Sequence, residues 1–476
     1  MPFKSHRYWL ILGCILLFAF ATSIYKVSTP PEYIFDEVYH ALTAKLISRN
    51  DPRAYEWWHP AIEPGTAIDW LHPPLAKYTQ AVGMLLFGEN SFGWRISSVI
   101  FGVLVIAATA LLADELFENK NLSLLAAFLA SLDGLLLVQS RIAMNDIHVT
   151  FFILLTFLFY IRYRKKPFAL RLFWTGVAAG LAMGSKWSGV FALGTVWGFE
   201  VLDLFTRKIH FAPKTILQHF LLLLFLPATL YVLSYTLMFL QGKSLICEGD
   251  HVEEGQCYCV QDSSQWVDIL KTVAPQNTAE WEKLEARGGC KRLVSHFSEL
   301  HYQIWWYQTN LKATHPYQSR PYQWFLDLRP VWYSVETKDD QIANIYAFGN
   351  PLLFWFGDIA VFVTLGYFAQ QLLTKKFPFK KFQPLFFLLV AYFAVWLPWQ
   401  ASPRIMFFYH YTPAVPLLCC ILAYWLMMLE KKQRILAIGI VAAIVITFVV
   451  FYPNWTHIFV PKTFADKVYF AMSSWR

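Results

Sequence analysis

Charge is scarce in this sequence. Asp, Glu, Lys and Arg make up only 15% of its 476 residues, against 57% hydrophobic ones, and mean hydropathy is +0.39. So little charge cannot coat a soluble multidomain enzyme of this length, and so much apolar character argues against a disordered chain. No internal repeat, heptad run or low-complexity tract is present, so neither a repeat array nor a coiled coil is expected. Small residues of the cleavage-site type are few after the first apolar run, Trp9 to Tyr25. That run therefore reads as a retained span rather than a removed signal, although Lys4 and Arg7 precede it.

Aromatic rings, by contrast, reach 18% of the chain, an excess expected where they populate both water–lipid interfaces. About twenty apolar residues cross a bilayer, and about eleven candidate spans are expected, near 9–25, 91–113, 122–139, 147–161, 168–184, 187–206, 216–240, 351–373, 384–399, 405–428 and 433–452. Their backbone groups must be satisfied within each span, which makes them helices. The fold class is an all-α polytopic membrane protein.

The net charge of +8 lies in short clusters between these runs, not along one face or in a tail. It reads as a topology signal, not as a nucleic-acid footprint. With the N-terminus inside, the inner loops carry Arg162, Arg164, Lys165 and Lys166, then Arg207, Lys208 and Lys214, then Lys375, Lys376, Lys380 and Lys381, then Lys431, Lys432 and Arg434. The C-terminus then falls outside, as do two segments too polar to be spans, 26–90 and 241–350. Each carries Trp- and Tyr-rich runs suited to the membrane surface, such as Trp57-Trp58 and Trp305-Trp306-Tyr307. Three regions are expected: a transmembrane catalytic region over 1–240, an outer loop with interfacial helices over 241–350, and a four-span-type region over 351–476.

Cys14, Cys419 and Cys420 lie in apolar spans and read as small buried hydrophobes. Cys247, Cys257, Cys259 and Cys290 sit together in the outer loop. An oxidising compartment permits two disulfides there in any of three pairings, and a zinc site is the weaker alternative because Cys-x-Cys is not the usual hook.

Ionisable groups near hydrocarbon are costly, so their placement is informative. Asp36, Glu37, Arg95, Arg141, Asp146, Lys186 and Arg404 all map to the outer side of the expected topology. Cations at helix ends suit the phosphate of a lipid-linked sugar, whose charge grows as its glycosidic bond breaks. A carboxylate beside them suits removal of a proton from an attacking hydroxyl. Each element alone has a plainer reading: an acid at a helix start, a cation snorkelling at a span end, or a loop breaker in His72-Pro73-Pro74.

Their order is more specific. Phe35-Asp36-Glu37-Val38-Tyr39-His40, His72-Pro73-Pro74-Leu75-Ala76-Lys77, Gly184-Ser185-Lys186-Trp187-Ser188-Gly189, His315-Pro316-Tyr317-Gln318-Ser319-Arg320-Pro321, Gly349-Asn350-Pro351 and Arg404-Ile405-Met406-Phe407-Phe408-Tyr409-His410-Tyr411 occur in sequence. From about residue 30 to its end the chain resembles the protein O-mannosyltransferases, and around Trp305 to Trp332 especially their bacterial branch. The resemblance implies a GT-C glycosyltransferase fold and transfer of mannose from polyprenyl or dolichyl phosphate mannose to Ser or Thr of exported proteins, inverting and without a metal or other cofactor. It implies Asp36 as base, with Glu37 orienting acceptor or base. Arg95, Lys186 and Arg404 would then lie on the donor phosphate or sugar, while His72, Lys77, Arg141, Asp146, His410 and Tyr411 shape the site. The implied setting is the cell membrane, with the site and C-terminus extracytoplasmic and with oligomer or translocon association left open. Two other readings are a GT-C enzyme that modifies a glycolipid or cell-wall glycan, as aminoarabinose transferases do, and, more distantly, a transporter or flippase. Transporters place their sites near the midplane between repeats, and neither feature is seen here.

Overall fold

The computed structural model describes residues 5–55, 61–206, 213–241, 293–374 and 379–476. Cys247, Cys257, Cys259, Cys290, Trp57, Trp58, Arg207, Lys208, Lys375 and Lys376 lie outside the described residues.

Long apolar runs become helices: α1 (Ser5–Ile24), α4 (Ser91–Phe117), α7 (Asp146–Lys165), α8 (Ala169–Ser185) and α9 (Val190–Thr206), followed by Pro213–Leu233, Pro351–Leu373, Phe379–Trp396, Val415–Glu430 and Arg434–Trp455. Shorter helices occupy the expected outer segment, α2 (Glu37–Ser48) and α3 (Leu75–Phe87). Among the described residues, eight helices are long and apolar enough to cross a membrane. The count of eleven expected spans differs for physical reasons. The third, expected over 122–139, breaks into α5 (Lys120–Ser131) and α6 (Gly134–Gln139), because Asp133 caps α6 by accepting from the Leu136 N–H at 2.7 Å. The fifth and sixth are 17-residue helices, α8 and α9.

Burial separates the helices into inner and outer sets. The apolar windows of α4 and α7 are 67% buried, whereas those of α1, Pro213–Leu233 and Arg434–Trp455 are 28, 17 and 22% buried. Such continuous exposed apolar faces are suited to lipid. Cys14 is exposed on α1, contrary to the expectation of burial, while Cys419 and Cys420 are buried. Where α8 meets the Pro213–Leu233 helix, the backbones touch: a Cβ on Gly176 would stand 1.9 Å from the Leu222 carbonyl oxygen. Only glycine fits there.

One part of the fold is not helical. β1 (Val331–Lys338) and β2 (Gln341–Ala347) form an antiparallel hairpin, and β3 (Val460–Pro461) adds to β2. A bulge between Trp332 and Ser334 interrupts the pairing at Tyr333 and turns that ring toward the helices. Among the described residues of 241–350, Leu293–Asn310 is a helix in which Trp305 is exposed and Trp306 buried.

The bundle has two chemically distinct ends. Asp146 opens α7, while Arg162, Arg164 and Lys165 close it about 30 Å away and pair with Glu115, Asp203 and Glu118. Asp36, Asp69, Lys186 and Arg404 gather at the Asp146 end.

Candidate functional site

The loop from α1 to α2 ends at Phe35, which holds a left-handed backbone (φ 47°), a conformation unfavourable for an aromatic residue. Its ring is held on three sides. It stacks on Tyr333 at 4.4 Å and meets Phe407 and Tyr409 edge-on. The bend this creates carries the next residue, Asp36, to the start of α2, where its carboxylate faces an open cavity and accepts from the Tyr409 hydroxyl at 3.3 Å. Enclosure by protein raises its pKa to about 6, against the pull of His40 and Lys186.

A second carboxylate, Asp69, organises the neighbouring wall. His72 Nδ1 lies 2.9 Å from its Oδ1, while His40 Nδ1 and Lys77 Nζ lie 2.6 and 2.9 Å from its Oδ2. Burial opposes the charge on Asp69, but Lys77, His72 and His40 outweigh it and hold the carboxyl well below its usual range. Burial also pushes His72 down to about 4, despite Asp69. A neutral His72 that donates from Nδ1 leaves Nε2 as an acceptor. Nitrogen and oxygen donors of His40, Asp69 and His72 come within 4.8 Å of one another, the spacing of a metal set. The chemistry of the cluster fits a cation poorly, because the buried Lys77 ammonium already occupies Asp69 Oδ2.

Two cations line the same cavity as Asp36. Lys186 follows the end of α8 in extended conformation, and its ammonium pairs with Asp146 at 2.7 Å. Arg404 has no carboxylate partner among the described residues. It donates to the Gln308 side chain and to the Ile405 carbonyl. Asp36, His40, Asp69, His72, Lys186, Arg404, Tyr409 and His410 line one cavity of about 660 Å³, together with Tyr39, Trp70, Tyr307 and His315. That volume is in the range of small-molecule sites. The walls come from all three expected regions of the chain, so the site is not confined to 1–240.

The other singled-out residues stand behind the walls. Glu37 and Arg95 form a fully buried pair, with Arg95 Nε 2.8 Å from Glu37 Oε1 and Nη2 2.7 Å from Oε2. Arg95 spends its other donors on the carbonyls of Val27, Pro30 and Glu32. It fastens the loop that delivers Asp36 and does not line the cavity. Arg141 donates to the carbonyls of Thr22, Ser23, Tyr25 and Lys26 and so satisfies the end of α1. Tyr411 faces away, with its hydroxyl 2.5 Å from that of Tyr392. Asp146 positions Lys186, and Lys77 holds Asp69 and the His72 carbonyl.

Sequence reasoning missed Asp69, His40, Tyr409 and Tyr307 as site residues. His40 and Tyr409 stood inside quoted motifs, and one helical turn separates Asp36 from His40 on the same face of α2, a signal that was there to use.

Two family models cover most of the chain: "Dolichyl-phosphate-mannose-protein mannosyltransferase" matches residues 13–241, and "C-terminal four TMM region of protein-O-mannosyltransferase" matches residues 293–469. A polyprenol-phosphate-mannose–protein mannosyltransferase of Corynebacterium glutamicum is 28% identical over 87% of this chain and 81% of its own length. The Mycobacterium tuberculosis protein of that name is 25% identical over 88% and 80%. Among solved structures, the S. cerevisiae Pmt1-Pmt2 complex bound to the sugar donor aligns at TM-score 0.72 and 15% identity, over 96% of this chain and 91% of that one. ArnT from Cupriavidus metallidurans aligns at 0.55 and 13%, over 92% and 64%. These structural likenesses establish the GT-C fold.

Proposed function

The chain belongs to the protein O-mannosyltransferase family, and from that premise we propose that it moves mannose from polyprenyl phosphate mannose to Ser or Thr hydroxyls of exported proteins. The observation that carries the reading is one cavity in which a carboxylate with a raised pKa, Asp36, shares the walls with two cations, Lys186 and Arg404.

The reaction follows from those charges. Asp36 takes the proton of the acceptor hydroxyl as its oxygen attacks the anomeric carbon of mannose. The bond from that carbon to the phosphate oxygen breaks on the opposite face, with inversion. The phosphate gains negative charge as it leaves, and Lys186 and Arg404, held in place by Asp146 and Gln308, stabilise that charge. Asp146 orients Lys186, and Asp69 orients His72 and His40 toward the sugar. No step requires a metal. Glu37, Arg95 and Arg141 serve by holding the Asp36 loop and the end of α1.

In this reading the cavity opens on the extracytoplasmic side of the cell membrane, and the Arg162–Lys165 end of α7 is cytoplasmic, with the N-terminus. Residues 1–240 and 351–476 are the two membrane regions, joined by an outer segment over 241–350.

Purified protein incubated with radiolabelled polyprenyl phosphate mannose and a Ser/Thr-rich exported peptide should place label on the peptide. Arg404→Ala should raise the donor KM about tenfold or more, because a charge-assisted hydrogen bond to phosphate contributes roughly 1.5–3 kcal/mol. Label recovered in glycolipid with none in peptide would favour the glycolipid-modifying alternative. An unchanged donor KM would make Arg404 a structural residue.

A further inference from the structure

A second groove opens beside the cavity, across a wall of Leu311, Arg404 and Ile405 that both share. It has a volume of about 330 Å³ and lies between the 311–323 stretch and residues 403–406, which are tied together where the Ser319 N–H donates to the Met406 carbonyl at 2.8 Å. Its lining includes three cations, Lys312, Arg320 and Arg404, and no acid. None of the three meets a carboxylate among the described residues. Among the described residues the Arg320 guanidinium donates to the Ser402 carbonyl, at 3.5 Å. Arg404 faces the donor phosphate in the reading above, which leaves Lys312 and Arg320, without acidic partners on one concave surface, to set up a positive potential that favours a second anion.

We propose that this groove is an acceptor subsite, which receives an Asp or Glu side chain of the exported polypeptide near the hydroxyl that enters the cavity. The inference rests on the protein-acceptor reading above. The donor is the poorer occupant. Its phosphate must stay bonded to the anomeric carbon opposite Asp36, in the larger cavity, and its prenyl chain needs an apolar path, whereas Lys312, Thr314, Gln318, Arg320 and Gln323 make this groove polar. Because the shared wall is one layer of side chains, an extended polypeptide rising about 3.3 Å per residue crosses it in roughly three residues. Placing the acid there selects among Ser and Thr sites without touching the reacting atoms.

The test uses full-length protein in detergent with polyprenyl phosphate mannose and three peptides that carry one Thr and, three residues away, Asp, Asn or Lys. Wild type should use the Asp peptide about three- to tenfold better in kcat/KM than the Asn peptide, and the Lys peptide worst, as expected for partly exposed ion pairs. The double variant Lys312→Glu/Arg320→Glu should reverse that order while keeping the Asn-peptide rate and the donor KM. The same order in wild type and variant would overturn the subsite. So would an equal loss on all peptides with a raised donor KM, which would mark a donor phosphate site. So would a defect of the double variant that is absent in detergent and appears when the assay is repeated in vesicles of anionic lipid, which would mark a headgroup site. Failure of wild type to label any peptide, with label passing to lipid, would overturn the acceptor reading and the subsite together, whereas efficient transfer without preference overturns the subsite alone.

Discussion

Asp36→Asn should leave the protein folded and lower its turnover by about 10²- to 10⁴-fold, the usual worth of a positioned general base. The amide keeps the shape of the carboxyl and still accepts the Tyr409 hydroxyl, so helix α2 and the Phe35 bend lose nothing. Only the basicity disappears. The pH profile gives a second reading of the same group. Burial pushes Asp36 up to about 6, so in the free enzyme the carboxylate is the dominant form above that pH and is protonated below it. Wild-type kcat/KM should therefore be level at neutral pH and fall about tenfold per unit below 6, whereas the residual rate of the variant should lack that limb. Turnover follows from peptide labelling at saturating donor and the pH profile from labelling with donor and peptide both well below KM, with thermal unfolding in detergent as the control on folding. Near-normal transfer by the variant removes Asp36 from the chemistry.

The sequence made the bundle legible for a simple reason. A span must be apolar over its whole length, so α4, α7 and the Arg434–Trp455 helix announce themselves without any knowledge of their neighbours. The candidate site was legible in part, through the expense of Asp36, Lys186 and Arg404 in so greasy a chain, and the family resemblance ordered them. Asp69 carried no such signal. It lies between Ile68 and Trp70 in an irregular segment, and it becomes central only when chain folding brings His40 from α2 and Lys77 from α3 onto its Oδ2 and leaves Oδ1 to His72. The hairpin had a local signal that the aromatic content obscured: Val331, Val335, Thr337, Ile342 and Ile345 flank the Asp339-Asp340 turn with β-branched residues. Arg95 shows the opposite case, a costly cation that is buried against Glu37 and does not line the cavity. Its cost near the membrane marked it correctly as constrained, but cost alone does not distinguish a cation that meets substrate from one that ties down a loop.

That distinction has a measurable consequence at Glu37. Four donors converge on its carboxylate: Arg95 Nε and Nη2, the Ala143 N–H at 3.0 Å and the Ile34 N–H at 3.1 Å. Glu37→Ala therefore strands a fully buried guanidinium and two N–H groups, and a buried pair broken on one side costs about 3–5 kcal/mol. Thermal unfolding in detergent should shift down markedly, and transfer should fall as the 26–37 loop loosens and Asp36 leaves its place beside Tyr409. Adding Arg95→Met removes the stranded charge and should recover much of the stability, since apolar replacements of buried pairs are often tolerated. Activity should stay low, because the same Arg95 holds the carbonyls of Val27, Pro30 and Glu32, and methionine holds none of them. The pairing of restored melting with unrestored transfer separates a positioning role from a structural one. A Glu37→Ala protein that melts like wild type and yet loses turnover would instead put Glu37 at the reacting atoms, beside Asp36.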